Sequence, residues 1–506
     1  MMRMRGRGLL ATVCLLLSWV VANGVYGDTQ GADDRHPARP NIVLLYTDDM
    51  GWGDMAAYGN AYIRTPSLDR LAAEGQRWTD FYVPSPVCSP SRGALLTGKQ
   101  PVRTGLYGTK YPVMFPGDDY HGMPASELTL AEGLKSVGYA TGIFGKWHLG
   151  DAPAFMPTRH GFDYWYGVPY SNDMRFNGRA PLEELYRMQL QGRYAELQAV
   201  YQSLLDGFKD PDYRDYDVPL WRSQCDAGDC EDVIVEQPVV QPTFTRRLTE
   251  EAIGFIERHR EQPFFVYLPY SMPHLPIFAS DSFVGSSLAG PYGDTIEEID
   301  WSVGQIRAAL ERMGLEDNTL VIFSSDNGPW QSASTRFAGS AGPLRGSKQE
   351  VYEGGVRVPG IFWWPGQIKP RVTADIGSVM DLFTTIMNLA GAELPSDIDG
   401  IDLSPVLLHG EPGERFELAF YRKGELRAYR YGHYKLHLFG QAQGGEALAT
   451  PELYDLRQDI SERENLAAEH PEIVREIQES IARHRSNTPV KPPIFDARLE
   501  GITIDG

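Results

Sequence analysis

The sequence is short of basic residues. Its 47 Lys and Arg stand against 67 Asp and Glu, a formal net charge of −20 over 506 residues. That balance excludes nucleic acid as a partner, since its binding relies on clustered cations. It does not exclude an anionic substrate, because exposed charges are screened beyond about 8 Å at physiological ionic strength and a few buried cations can govern a pocket. Long apolar runs are also scarce. One occurs, from Leu9 to Ala22, with Arg3, Arg5 and Arg7 before it and Gly24 and Gly27 after it. It falls short of the ~20 apolar residues a membrane span needs and reads as a signal peptide over residues 1–27. The expected mature protein is therefore exported, periplasmic or secreted, with no membrane span. Cysteine is rare too: beyond that segment only Cys88, Cys225 and Cys230 remain, an odd number in a compartment where thiols pair. Cys225 and Cys230 could close a small loop and leave Cys88 unpaired; the alternative is a set of free or buried thiols. No internal repeat and no low-complexity tract is present.

What is there is a pattern of short apolar runs alternating with helical segments, which predicts an α/β fold with a mainly parallel sheet flanked by helices. Helices are expected at Ser67–Glu74, Thr129–Val137 and Ile296–Met313, the last two closed by Gly138 and Gly314. The helix-forming stretch from Pro181 to Phe208 reads either as a surface hairpin or as an insertion bordering a pocket. The length suits one large domain, 28–404, and a small C-terminal α+β domain, 405–506, with strand-like runs at Leu418–Tyr421 and Tyr434–Phe439 and a helical run from Pro471 to His484.

The ends of the apolar runs carry the chemistry. Asn41–Tyr46 leads into Asp48 and Asp49, and Tyr139–Phe144 into Lys146 and His148. Phe264–Leu268 is followed by His274, and Leu320–Phe323 leads into Asp326 and Asn327. Ligands of open α/β sheets bind outside the carboxyl ends of the strands, so these four sets are expected to meet in one crevice. Three carboxylates meeting there would repel one another unless a cation neutralised them, and an all-oxygen set favours calcium or magnesium over zinc. The alternative for these residues is separate service as helix caps and turn formers.

The segment Pro86-Val87-Cys88-Ser89-Pro90-Ser91-Arg92-Gly93, continuing to Leu96-Thr97-Gly98, reads as an extended approach and a helix start carrying Cys88 and Arg92, where free amides attract anions. This stretch resembles the Cys-x-Pro-x-Arg signature of the formylglycine-dependent sulfatases. The resemblance extends over nearly all of the mature chain, through Thr47–Gly53, Gly145–Gly150, Pro273–Pro276, Asp326–Gly328, and Arg345–Lys348 with Glu353–Pro359. No catalytic position of the family pattern is replaced. Ala279–Asp300 and Gly377–Thr385 are more similar to the N-acetylgalactosamine-6-sulfatases than to arylsulfatase A, whereas the stretch from Gly178 to Pro242 has no clear match.

The resemblance implies an alkaline-phosphatase-like fold and hydrolysis of sulfuric esters on a sulfated carbohydrate or an aryl sulfate. It implies oxidation of Cys88 to formylglycine by a maturation enzyme of the host, and a calcium ion held by Asp48, Asp49, Asp326, Asn327 and an oxygen of the modified Cys88. The hydrated aldehyde would present one hydroxyl to attack sulfur and a second to expel sulfate as the aldehyde reforms. Arg92 and His148 would support that group, while Lys146, His274 and Lys348 would clamp the sulfate, with His274 or Lys348 protonating the leaving alcohol. A homo-oligomer is compatible with these features. Two other readings are a phosphomonoester or phosphodiester hydrolase of the same superfamily and a catalytically silent glycan-binding protein. Intact Cys88, Arg92 and both lysines count against the latter.

Overall fold

The computed structural model describes residues 39–117, 121–177, 180–226, 228–331, 335–440 and 445–499; the signal peptide expected over residues 1–27 lies outside them. Eleven strands form the main sheet among the described residues: β1 (Asn41–Thr47), β2 (Gln76–Tyr82), β3 (Ala140–Lys146), β4 (Tyr164–Val168), β5 (Leu220–Asp226), β6 (Asp229–Glu236), β7 (Phe264–Pro269), β8 (Thr319–Ser325), β9 (Arg357–Trp363), β10 (Arg371–Thr373) and β11 (Gly377–Ser378). Their order is β10-β2-β9-β8-β1-β7-β3-β4-β5-β6, with β11 paired to β2 beside that path.

The centre, β8-β1-β7-β3-β4, is parallel throughout. It has to be covered on both faces, and its sequences comply: all seven residues of β1 (NIVLLYT) and of β8 (TLVIFSS) are buried. The flanks are mixed. β9 runs antiparallel to both β8 and β2, and β5 and β6 form an antiparallel hairpin against β4. Cys225 and Cys230 face each other across that hairpin and are joined as a disulfide, leaving Cys88 as the free thiol among the described residues.

The helices follow local chemistry. Thr129 and Glu132 form a capping box at the start of Leu130–Ser136, so Thr129 and Val137 are the caps of the expected helix. The long helix begins at Pro291, five residues before the expected Ile296, with proline in the first turn where its missing N–H costs nothing, and ends at Met313 before a left-handed Gly314. The stretch after Ala180 forms two helices, Pro181–Leu190 and Tyr194–Gly207.

A smaller antiparallel sheet follows, β12 (Glu417–Arg422), β13 (Glu425–Tyr431), β14 (Tyr434–Phe439) and β15 (Ala447–Asp455), with the helix Pro471–Asn487. Leu426, Tyr429, Leu436, Ile477 and Ile481 form its own apolar cluster, which also takes in Val102 and Tyr107 from the larger part of the chain. No helix among the described residues is long and apolar enough to cross a membrane.

Candidate active site

β8, β1, β7 and β3 are neighbours and parallel, so their carboxyl ends open on one side of the sheet. β1 ends at Thr47, immediately before Asp48 and Asp49; β8 ends at Ser325, immediately before Asp326 and Asn327; β3 ends on Lys146 itself; and His274 lies five residues beyond β7. Against these strand ends sits the helix Cys88–Thr97, whose first residue is Cys88. Backbone constraints support the arrangement. Asp49 and His148 adopt left-handed conformations, φ 67° and 64°. Gly145, at φ 133°, has no room for a side chain, since a Cβ there would stand 1.9 Å from the Pro269 carbonyl oxygen where β3 approaches β7.

All ten residues expected in the site are buried, and nine of them interlock directly. The Cys88 thiol lies 3.5 Å from Asp48 Oδ1 and 3.9 Å from Asp49 Oδ1. Lys146 Nζ donates to Asp48 Oδ2 at 2.6 Å, and Lys348 Nζ is 2.7 Å from Asp49 Oδ1. Arg92 Nε donates to Asp326 Oδ2 at 2.9 Å, its Nη1 to the Lys146 carbonyl at 3.1 Å, and its Nη2 has no hydrogen-bond partner. Asp326 Oδ1 accepts the Asp49 backbone N–H at 3.1 Å, and Asn327 Nδ2 donates to Asp49 Oδ1 at 2.7 Å. His274 Nε2 is 3.6 Å from Asp49 Oδ2, and its Nδ1 hydrogen-bonds the Leu275 carbonyl at 2.6 Å. His148 stands slightly apart: Nε2 hydrogen-bonds the Met114 carbonyl at 3.0 Å and Nδ1 is unpartnered, but it lines the same narrow cleft as Cys88, His274 and Lys348.

Electrostatics follow from this packing. Three carboxylates, Asp48, Asp49 and Asp326, meet three cations, Arg92, Lys146 and Lys348, all of them buried. Burial alone would protonate Asp48, but Lys146, His274 and Arg92 override it and hold its carboxyl below the usual range. Burial, with Asp48 beside it, pushes Asp326 up. Burial opposes the Lys348 ammonium, yet Asp49 and the other negative groups raise it well above the ordinary lysine value. Burial and then Lys146 and Arg92 keep His148 neutral. Burial and Asp326 raise the Cys88 thiol well above 9.0, so unmodified Cys88 is a protonated thiol and a poor nucleophile.

The oxygens of Asp48, Asp49, Asp326 and Asn327 suit a hard cation, with the Cys88 sulfur and a His274 nitrogen standing close to them. Asp48, Asp49, Cys88 and His274 bring one potential ligand atom each within 4.8 Å of one another, and Asp326 and Asn327 join through Asp49. The buried Asn327 Oδ1 has no hydrogen-bond partner among the described residues, as expected of an oxygen available to a metal. A divalent cation would also take over the neutralisation of Asp48 and Asp49 and release Lys146 and Lys348 for an incoming anion.

Of the nearby aromatics, Trp165 and Tyr166 are buried in β4; the Trp165 indole N–H donates to Gly145 O and the Tyr166 hydroxyl receives Arg247. Trp330 lines the cleft, and Tyr170 lines a small adjoining one. Sequence reasoning missed one acid. The acid is Asp173, fully buried with neither carboxylate oxygen hydrogen-bonded to a described residue, lining the cleft that contains Cys88. Its position just beyond the carboxyl end of β4 is the signal that could have found it.

Comparison with known proteins gives a consistent picture. A family profile described as Sulfatase matches residues 40–392, and one described as N-sulphoglucosamine sulphohydrolase, C-terminal, matches residues 347–487. The chain is 41% identical over 413 residues to N-acetylgalactosamine-6-sulfatase of Mus musculus, covering 80% of this chain and 72% of the relative. It is 37% identical over 480 residues to arylsulfatase A of Homo sapiens, covering 87% and 86%. Among solved structures, the PsFucS1 sulfatase from Pseudoalteromonas sp. superposes with a TM-score of 0.73 at 28% identity, covering 90% of this chain and 92% of that one.

Proposed function

The chain belongs to the sulfatase family and is a sulfuric ester hydrolase; from that premise we propose that it acts through a formylglycine made from Cys88 beside a calcium ion, on sulfated carbohydrates, with aryl sulfates as lesser substrates. The observation that carries the proposal is the Cys88 thiol, buried at a helix start 3.5 Å from Asp48 and surrounded by Arg92, Lys146 and Lys348. A protonated thiol in that setting has little use as a nucleophile, whereas a hydrated aldehyde at the same place would offer one hydroxyl that a metal and a neighbouring base can activate and a second that can expel sulfate.

Asp48, Asp49, Asp326 and Asn327 would hold calcium, which supplies charge neutralisation and polarises the oxygens bound to it. The aldehyde hydrate supplies paired hydroxyls, so that the ester sulfur can be attacked by one and sulfate released by the other. Arg92, tied to Asp326, fixes the orientation of residue 88, and neutral His148 can exchange a proton with it. Lys146 and Lys348 meet the sulfate oxygens where charge develops in the transition state, preorganised by the carboxylates that hold them. His274, with Nδ1 committed to the Leu275 carbonyl, offers Nε2 to the site; His274 or Lys348 protonates the departing alcohol.

The glycan preference draws on the similarity to N-acetylgalactosamine-6-sulfatases and on an expected signal peptide that would place the protein where sulfated glycans occur. Maturation would require a formylglycine-generating enzyme in the host. The experiment that tests the reading is a comparison of matched sulfate and phosphate monoesters of the same alcohols. Sulfate release exceeding phosphate release in kcat/KM supports it, and turnover of phosphate alone overturns it.

A further inference from the structure

Next to the cleft that contains Cys88 lies a larger chamber of about 380 Å³, and the two are continuous through Leu182, Tyr186, Trp330 and Gln349, which line both. The inner cleft, about 50 Å³, holds little more than the sulfate itself. The outer chamber is within the ~300–1,000 Å³ range of small-molecule sites and has room for a sugar unit. Its walls come from the helices Pro181–Leu190 and Tyr194–Gly207 and from the end of β12.

Two adjacent cations face this space, Arg422 and Lys423. Arg422 is 4% exposed; its Nη2 donates to Gln349 Oε1 at 3.2 Å and its Nε has no hydrogen-bond partner among the described residues. Lys423, in a left-handed turn at φ 51°, lies over the Tyr186 ring at 5.7 Å. Neither forms an ion pair with a described residue. The acids whose fields reach them are committed elsewhere: Glu425 pairs with Arg427 at 2.7 Å, Glu350 accepts the Ser347 N–H at 3.0 Å, and Asp496 accepts the Thr109 N–H at 2.7 Å and the Lys110 and Tyr111 N–H groups at 3.1 Å each. Burial and the neighbouring Arg422 and Arg427 push Lys423 down to about 8. Two like charges, largely buried side by side with no ion-pair partner among the described residues, are costly unless an anion joins them.

We propose that this chamber is a second anion subsite, in which Arg422 and Lys423 take a sulfate or carboxylate carried by the sugar next to the one that loses its sulfate. The natural substrate is then a polyanionic glycan of at least two units. Tyr186 and Trp330 give the neighbouring sugar apolar faces to rest on, and Gln349, at φ 76° directly after Lys348, joins Arg422 to the catalytic cleft. The proposal rests on the sulfatase reading for the identity of the first anion but not for the presence of the second.

The test is calorimetric binding to the full-length Cys88→Ala protein, which does not depend on turnover. Three disaccharides share one sulfated unit and differ in a neighbouring sugar that is neutral, carboxylated or sulfated. At least one charged neighbour should tighten Kd by ~10-fold or more over the neutral one, as one charge-assisted contact would, and the larger gain identifies which anion is taken. Lys423→Asn, a residue that tolerates the left-handed turn, and Arg422→Gln should each bring that ratio towards one. If Arg422→Gln does not fold, Lys423→Asn and the parent protein decide the matter. Equal Kd for all three disaccharides, or a ratio undiminished in the variants, overturns the subsite. Absence of sulfate release from every ester by the matured protein would overturn the sulfatase reading instead.

Discussion

Lys146 Nζ stands 2.6 Å from Asp48 Oδ2 with both side chains wholly enclosed, and 3.8 Å separates the other oxygen, Oδ1, from Arg92 Nη2. The carboxylate that opens the proposed calcium set is therefore the same group that positions a proposed sulfate clamp. Removing the lysine removes a preorganised donor, and Lys146→Ala should lower kcat by ~10² to 10³. Lys348→Ala should do the same, since Lys348 is held by Asp49 in the matching way. Steady-state kinetics on a sulfate ester check both, and an unchanged kcat in either variant would remove that lysine from the mechanism.

The proposed calcium set predicts an activity that depends on the ion. Chelation should lower activity and added calcium should restore it, whereas Asp326→Ala should abolish the restoration. Elemental analysis finding stoichiometric zinc in the active protein would contradict the assignment.

A prediction about stability concerns His160, which is 1% exposed, stacks on Trp147 at 6.0 Å and has neither ring nitrogen hydrogen-bonded. Burial pushes its pKa from 6.5 down to about 4. The unfolded chain then binds a proton that the folded chain refuses, so stability is undiminished above pH 6.5 and is lost as pH falls from 6.5 towards about 4, by ~1.4 kcal/mol per unit. His160→Phe keeps the stacked ring without the titration. The difference in unfolding free energy between the parent and this variant, measured across that window, should change in favour of the variant as pH falls; a constant difference would show that His160 does not titrate as the burial implies.

Substrate preference is open to direct comparison. Among galactose-type 6-sulfates, other sugar sulfates and nitrophenyl sulfate, at least one sugar sulfate should show the highest kcat/KM. An aryl ester preferred over every sugar by orders of magnitude would end the glycan reading.

Much of this was legible in the chain because the relevant information is local. Asn41–Thr47 and Thr319–Ser325 are apolar runs that stop at polar pairs, and strand ends on one side of a parallel sheet must come together. What was not legible depends on partners distant in sequence. An apolar run does not state the direction of its neighbour, so the antiparallel setting of β9 could not be read from RVPGIFW. Nothing local in the sequence tells that Trp165 and Tyr166 are enclosed in β4, with the Gly145 carbonyl receiving the indole N–H. Arg422 and Gln349 meet across 73 positions, and nothing near Arg422 in the sequence marks it as a cation without a counter-ion.

The central claim is that the working group at position 88 is an aldehyde rather than the thiol written in the gene. The most direct measurement is the mass of the peptide containing Cys88, taken from protein made in its native host and set beside the sulfatase activity of the same preparation. The account predicts a formylglycine-bearing peptide whose fraction rises and falls with activity, and no turnover in Cys88→Ala. Full activity in a preparation where every such peptide carries an unmodified thiol would contradict it.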